Sequence, residues 1–62
     1  MITIITVRMD SAAFDDAPAS ELSRILRQLA ADIEQDGPEF ASLADRNGHV
    51  VGSFRIAQGA SP

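Results

Sequence analysis

The residues that could carry chemistry in this chain are few and scattered. His49 is the one histidine, and an imidazole is the usual general base at neutral pH. No nucleophile or acid partner stands beside it at a readable spacing, so it reads as an exposed residue next to a turn. Asp10, Asp15 and Asp16 are the kind of oxygen ligands a hard cation takes, but the D-x-[DN]-x-[DN]-G-x₅-E loop is absent. Helix capping accounts for Asp15 and Asp16. Asp45-Arg46-Asn47-Gly48 looks like a fragment of such a loop, yet turn chemistry explains it better. Arg24 and Arg27, with Arg46 and Arg55, could hold an anion, although Glu21 lies one helical turn before Arg24 as an ordinary ion-pair partner. Glycine-rich phosphate loops, a G-x-S-x-G turn and a zincin motif are missing. With no cysteine and one histidine, a disulfide is excluded and a structural zinc site is not expected. The expectation is a noncatalytic chain with no catalytic residue, no cofactor and no metal.

Composition narrows the partners. Five arginines, no lysine and nine acidic residues leave a formal charge of −4. Nucleic-acid binding relies on cationic side chains neutralising phosphates, so the acidic balance argues against it. It argues equally against an anionic membrane surface. A ribbon-helix-helix repressor would need a second helix and a basic strand, and a hairpin stands where that helix would be. The apolar run Met1–Val7 has no positive flank before it and breaks at Arg8, so no targeting segment is expected, and the cytoplasm is the expected location.

The elements that would position these side chains are clearer. From Pro18 to Gly37, Leu22, Ile25, Leu26, Leu29 and Ile33 recur at i, i+3, i+4, i+7 and i+11, one face of a 3.6-residue period. Ser23, Arg24, Arg27, Gln28, Asp32 and Gln35 fall opposite. Asp16 or Ala17 is the N-cap, Pro18 suits the first turn, and Asp36-Gly37-Pro38 is a firm stop. Phe14 is expected to fold back on that first turn as a hydrophobic staple does.

Ile2–Met9 is dense in β-branched residues and reads as a strand, with Thr3, Ile5, Val7 and Met9 toward the core. Asn47-Gly48 favours a two-residue type I′ hairpin turn. That turn sets Arg46 opposite His49, Asp45 opposite Val50, Leu43 opposite Gly52 and Ala41 opposite Phe54. One face then carries Ala41, Leu43, Val50, Phe54 and Ile56; the other carries Phe40, Ser42, Ala44, Arg46, His49, Val51, Ser53 and Arg55.

The order β-α-β-β predicts an α+β fold: one two-layer domain over residues 1–57, with 58–62 a frayed tail. A three-stranded antiparallel sheet in the order 1-3-2 packs on the helix, whose stripe is consumed inside the domain; the alternative order sets strand 1 beside strand 2 in parallel. The face away from the helix would carry Ile2, Ile4, Phe40 and Val51, a possible interface.

Ala12–Pro18 (A-A-F-D-D-A-P), Glu21–Ala30 (E-L-S-R-I-L-R-Q-L-A) and Leu43–Gly52 (L-A-D-R-N-G-H-V-V-G) resemble a group of small bacterial and prophage-associated proteins of uncharacterised function. The resemblance rests on cap, helix face and turn, brings no functional residue with it, and implies an accessory protein from a mobile element. The expected function is a noncatalytic interaction module that forms a homodimer through a sheet edge or the outer sheet face. The alternative is a regulator that binds a host protein through its acidic surface.

Overall fold

A computed structural model describes residues 1–57, so the tail assigned to 58–62 lies outside the described residues. Strand β1 (Ile2–Val7) leads through a 3₁₀ turn at Ala12–Phe14 into helix α1 (Pro18–Asp36). Strands β2 (Phe40–Ala44) and β3 (Val50–Ala57) follow as a hairpin. All pairings are antiparallel and the order is β1-β3-β2, so the α+β architecture and strand order match the expectation. The core is Ala13, Phe14, Ile25, Leu29, Leu43, Val51 and Phe54, with Val7, Leu22, Ala41 and Ile56 packed against it.

The helix ends are set locally. Ala17 takes the N-cap position without a side-chain cap, and Pro18 opens the first turn, where its missing N–H costs nothing. Gly37 adopts a left-handed conformation (φ 58°, ψ 43°) and donates its N–H to the Ile33 carbonyl at 2.9 Å. Between these ends the helix is rolled away from the expected stripe. Glu21, Ile25 and Leu29 are buried, whereas Leu26 and Ile33 remain exposed, so only part of the stripe is consumed inside the domain. The roll has a polar cause: Glu21 accepts the Arg46 N–H and Arg24 donates to the Ala44 carbonyl, which draws that flank down onto the hairpin.

The hairpin departs from the expected turn. Among the described residues none but glycine has a positive φ, so Asn47 does not occupy a type I′ position. Instead Gly48 N–H donates to the Asp45 carbonyl and Asp45 N–H to the His49 carbonyl, both at 2.9 Å, with Gly48 at φ 87°. This is a three-residue loop: a type I turn followed by a left-handed glycine. Asp45 holds it by accepting the N–H groups of Asn47 and His49 on Oδ1.

A bulge next to the turn restores the pairing farther along. Ala44 pairs with Val50 but Leu43 pairs with Gly52, so Val51 is an extra residue on β3. Beyond it, Leu43–Gly52 and Ala41–Phe54 are opposed as the sequence predicts. At the bulge the two valines trade places: Val51 is 3% exposed and belongs to the core, while Val50 is 58% exposed. The assignment of Val51 to the outer face, and of Val50 to the core, is therefore corrected.

Strand β1 is also less covered than its pattern implies. Thr3, Ile5 and Val7 do share the helix side with Ile56, Phe54 and Gly52, their partners on β3. Only Val7 packs against the core; Thr3, Ile5 and Met9 stay exposed. The physical reason is the seat of the helix, whose Arg24, Gln28 and Asp32 flank lies against Ser42, Leu43 and Ala44 of β2, away from β1.

Candidate functional site

The polar residues gather at one place, where the helix start meets the hairpin turn. Arg24 donates from Nε and Nη2 to the two Glu21 carboxylate oxygens, each at 2.9 Å, and from Nη2 to the Ala44 carbonyl at 3.2 Å. Glu21 also accepts the Arg46 N–H at 2.8 Å. Alongside, Ser11 Oγ donates to Asp45 Oδ2 at 2.8 Å, while Asp45 Oδ1 takes the two loop N–H groups. His49 Nδ1 stands 3.7 Å from Asp45 Oδ2, with its ring in solvent. Among the described residues no buried side-chain nitrogen or oxygen lacks a partner. The arrangement is a clasp tying the loop before α1, the helix and the hairpin together.

Ser11, Asp45 and His49 are also the three residue types of a hydrolase triad, so their order decides what they can do. Nucleophilic catalysis needs the imidazole between hydroxyl and carboxylate, taking the hydroxyl proton. Here the carboxylate stands in the middle and the serine proton points at Asp45. The trio holds a turn and activates nothing. Asp10, Asp15 and Asp16 are exposed, and among the described residues no group of three or more acidic or histidine side chains converges on a point. The four arginines do not gather into one anion site either: Arg24 and Arg46 both act on the Glu21 carboxylate, Arg27 lies on the Leu22 and Leu26 flank of the helix, and Arg55 lies on the opposite face of the sheet, between Ile4 and Phe40.

The clasp predicts a pH dependence. The Glu21 carboxyl is held below the usual carboxylate range, first by its hydrogen bond from Arg24, against the opposing effect of burial. For Asp45, burial acts upward and is outweighed by the N–H of His49, the Ser11 hydroxyl and the N–H of Asn47, so it too lies low. Both carboxyls bind protons more readily when unfolded. Their contribution is complete above the ordinary carboxylate range and is lost as pH falls through that range and below it. Urea midpoints should therefore drop on acidification, and Glu21→Gln should be less stable at neutral pH with a shallower acid slope. An unchanged slope would show that Glu21 is not linked to folding.

The other distinctive surface is β1. Among the described residues it is an edge strand, paired with β3 alone. Edge strands in soluble proteins are normally blunted by charge, proline or a bulge. Ile2–Val7 carries none of these, and Ile2, Ile4 and Ile5 are all exposed large apolar side chains. Of the four residues expected on an outer interface, Ile2, Ile4 and Phe40 are exposed and Val51 is not. Nor do the three form one patch. Ile4 and Phe40 both pair with Arg55 on β3, so two strand spacings, about 10 Å, and an arginine separate them.

Sequence reasoning missed two parts of this surface. Ile5, read as core, is 45% exposed on the helix side of β1. The helix flank Ala19, Leu22, Leu26 and Ala30, with Ser23 and Arg27, lines an open, mostly apolar groove of about 400 Å³. The signal for the second lay in the breadth of the apolar arc, which small residues at 19 and 30 extend beyond what three strands can cover. No helix among the described residues is long and apolar enough to cross a membrane. Compared with protein-family models, with curated proteins and with solved structures, the chain matches none.

Proposed function

We propose that this protein is a noncatalytic interaction module of the cytoplasm that self-associates through its three-stranded sheet. One observation carries the reading: an edge strand without charge or proline exposes isoleucines on both of its faces. A chain of 62 residues without a disulfide has little core to draw on, and burying that strand against another chain adds to it. Absence of cysteine suits a reducing compartment. The polar cluster supports the reading from the other side, since its groups are consumed in holding the fold.

Light scattering across a concentration series tests it. The expected result is a mass rising from monomer to dimer; a strict monomer into the high micromolar range would overturn it. The alternative, a mobile-element regulator docking on a host protein, draws on the exposed Asp10, Asp15 and Asp16. It predicts a monomer whose capture of a host protein weakens with salt.

A further inference from the structure

Hydrogen-bond phase shows which groups of β1 are unused. Arg8 N–H donates to the Val51 carbonyl at 2.8 Å, and Ile56 N–H donates to the Glu39 carbonyl at 2.9 Å on the other side of β3. In an antiparallel ladder, residues alternate between bonding one neighbour and the other. The even residues Ile2, Ile4 and Thr6 therefore turn their backbone groups to β3, in phase with Arg8. Thr3, Ile5 and Val7 turn theirs outward, to the open edge. The side chains of these same three lie on the helix side of the sheet.

We propose that a second copy of this chain pairs with that edge, β1 antiparallel to β1, about a two-fold axis through Ile5. This rests on the reading of the protein as a self-associating module and names the surface that associates. Directly opposed residues of an antiparallel pair point to the same face, so a two-fold axis perpendicular to the sheet must relate residues of equal parity. The register through Ile5 sets Ile5 against Ile5 and Thr3 against Val7, and joins every outward N–H and carbonyl of the strand. It sets no charge against a like charge, which matters for a chain of net charge −4, because Ile2–Val7 has no ionisable side chain.

The pairing also explains what else is left open. Because the Arg24 and Asp32 flank of α1 lies toward β2, the Leu22 and Leu26 flank is turned to the β1 side. In the six-stranded sheet both helices occupy one face, and their open apolar flanks look at each other across the seam, with the two Ile5 side chains as its floor. The outer face, divided by Arg55, offers a second copy no comparable surface.

Single-cysteine cross-linking tests this cleanly, since the chain has no cysteine of its own. Hydrogen-bonded antiparallel partners have Cα atoms about 5.5 Å apart, within disulfide range. Under oxidised glutathione, Ile5→Cys should give a covalent dimer as the major product. Thr3→Cys alone should not, but mixed with Val7→Cys it should. Because Ile5 and Thr3 are exposed, neither substitution threatens the fold. If the wild type sediments as a dimer while Phe40→Cys cross-links and Ile5→Cys does not, the edge pairing is overturned and the self-association reading survives. Cross-linking through Ile4→Cys in place of Ile5→Cys would overturn the register. A wild type that sediments as a monomer at every concentration would overturn both.

Discussion

Gly52→Ala should abolish the docking of β1 and leave the protein unfolded or nearly so. A Cβ built at Gly52 falls 1.8 Å from the Thr6 carbonyl oxygen, 2.8 Å from the Thr6 carbonyl carbon and 3.0 Å from the Val7 Cα. These are backbone atoms of the neighbouring strand, so no side chain can swing aside to make room. Either β1 moves off or β3 untwists next to its bulge, and both break the ladder from Thr6–Ser53 to Val7–Gly52. Overpacking of this kind costs about 3 kcal/mol or more. A domain of this length has a total stability of about 3–9 kcal/mol. Gly48→Ala is the control: nothing lies within 4 Å of its Cβ, so it meets only the strain of a positive φ, about 1–2 kcal/mol. Urea denaturation followed by circular dichroism separates the two variants. A Gly52→Ala protein as stable as Gly48→Ala would contradict the close approach of β1.

The second large effect separates two adjacent valines. Val51→Asp places a carboxylate in the core beside Phe54 and Leu43 and should cost more than about 4 kcal/mol, enough to unfold the chain at neutral pH. Val50→Asp places the same group in solvent and should cost no more than about 1 kcal/mol, the weak strand preference of aspartate. A two-residue turn without the bulge predicts the reverse order. Thermal melts of the two variants, measured side by side, decide between the two registers.

Those valines show where the sequence stops being legible. The helix ends could be read because their causes are local: Pro18 at the start, and Gly37 followed by Pro38 at the stop. The strands themselves could be read, but their residues left two orders open, 1-3-2 and one with strand 1 parallel to strand 2, and the antiparallel pairing of β1 with β3 selects the first. Asn47-Gly48 misled because it fits two turns. The deciding residue is Asp45, whose carboxylate holds the loop N–H groups of a type I turn with glycine at its fourth position. The bulge left no trace, because Val50-Val51 looks the same in either phase.

Long-range causes hid the rest. Glu21 reads as an ordinary ion-pair partner of Arg24 from its position, but it is buried because the Arg46 N–H, 25 residues away, completes its hydrogen bonds with Arg24. That same contact rolls the helix toward β2 and strips β1 of cover. The candidate interface moved accordingly: Ile2 and Ile4 keep their place on β1, Val51 leaves for the core, and Ile5 joins them on the strand's other face. Alternation along Ile2–Val7 could not show which face would be covered, since both are largely apolar.

Amide hydrogen exchange of β1, followed residue by residue as a function of protein concentration, tests the central claim most directly. The N–H groups of Ile4, Thr6 and Arg8 bond to β3 within one chain and should be protected at every concentration. Those of Thr3, Ile5 and Val7 should be protected only in concentrated solution and lose that protection together on dilution, as the two β1 strands part. Fast exchange of Thr3, Ile5 and Val7 at all concentrations, with their even-numbered neighbours protected, would show an edge that stays open and would contradict the pairing.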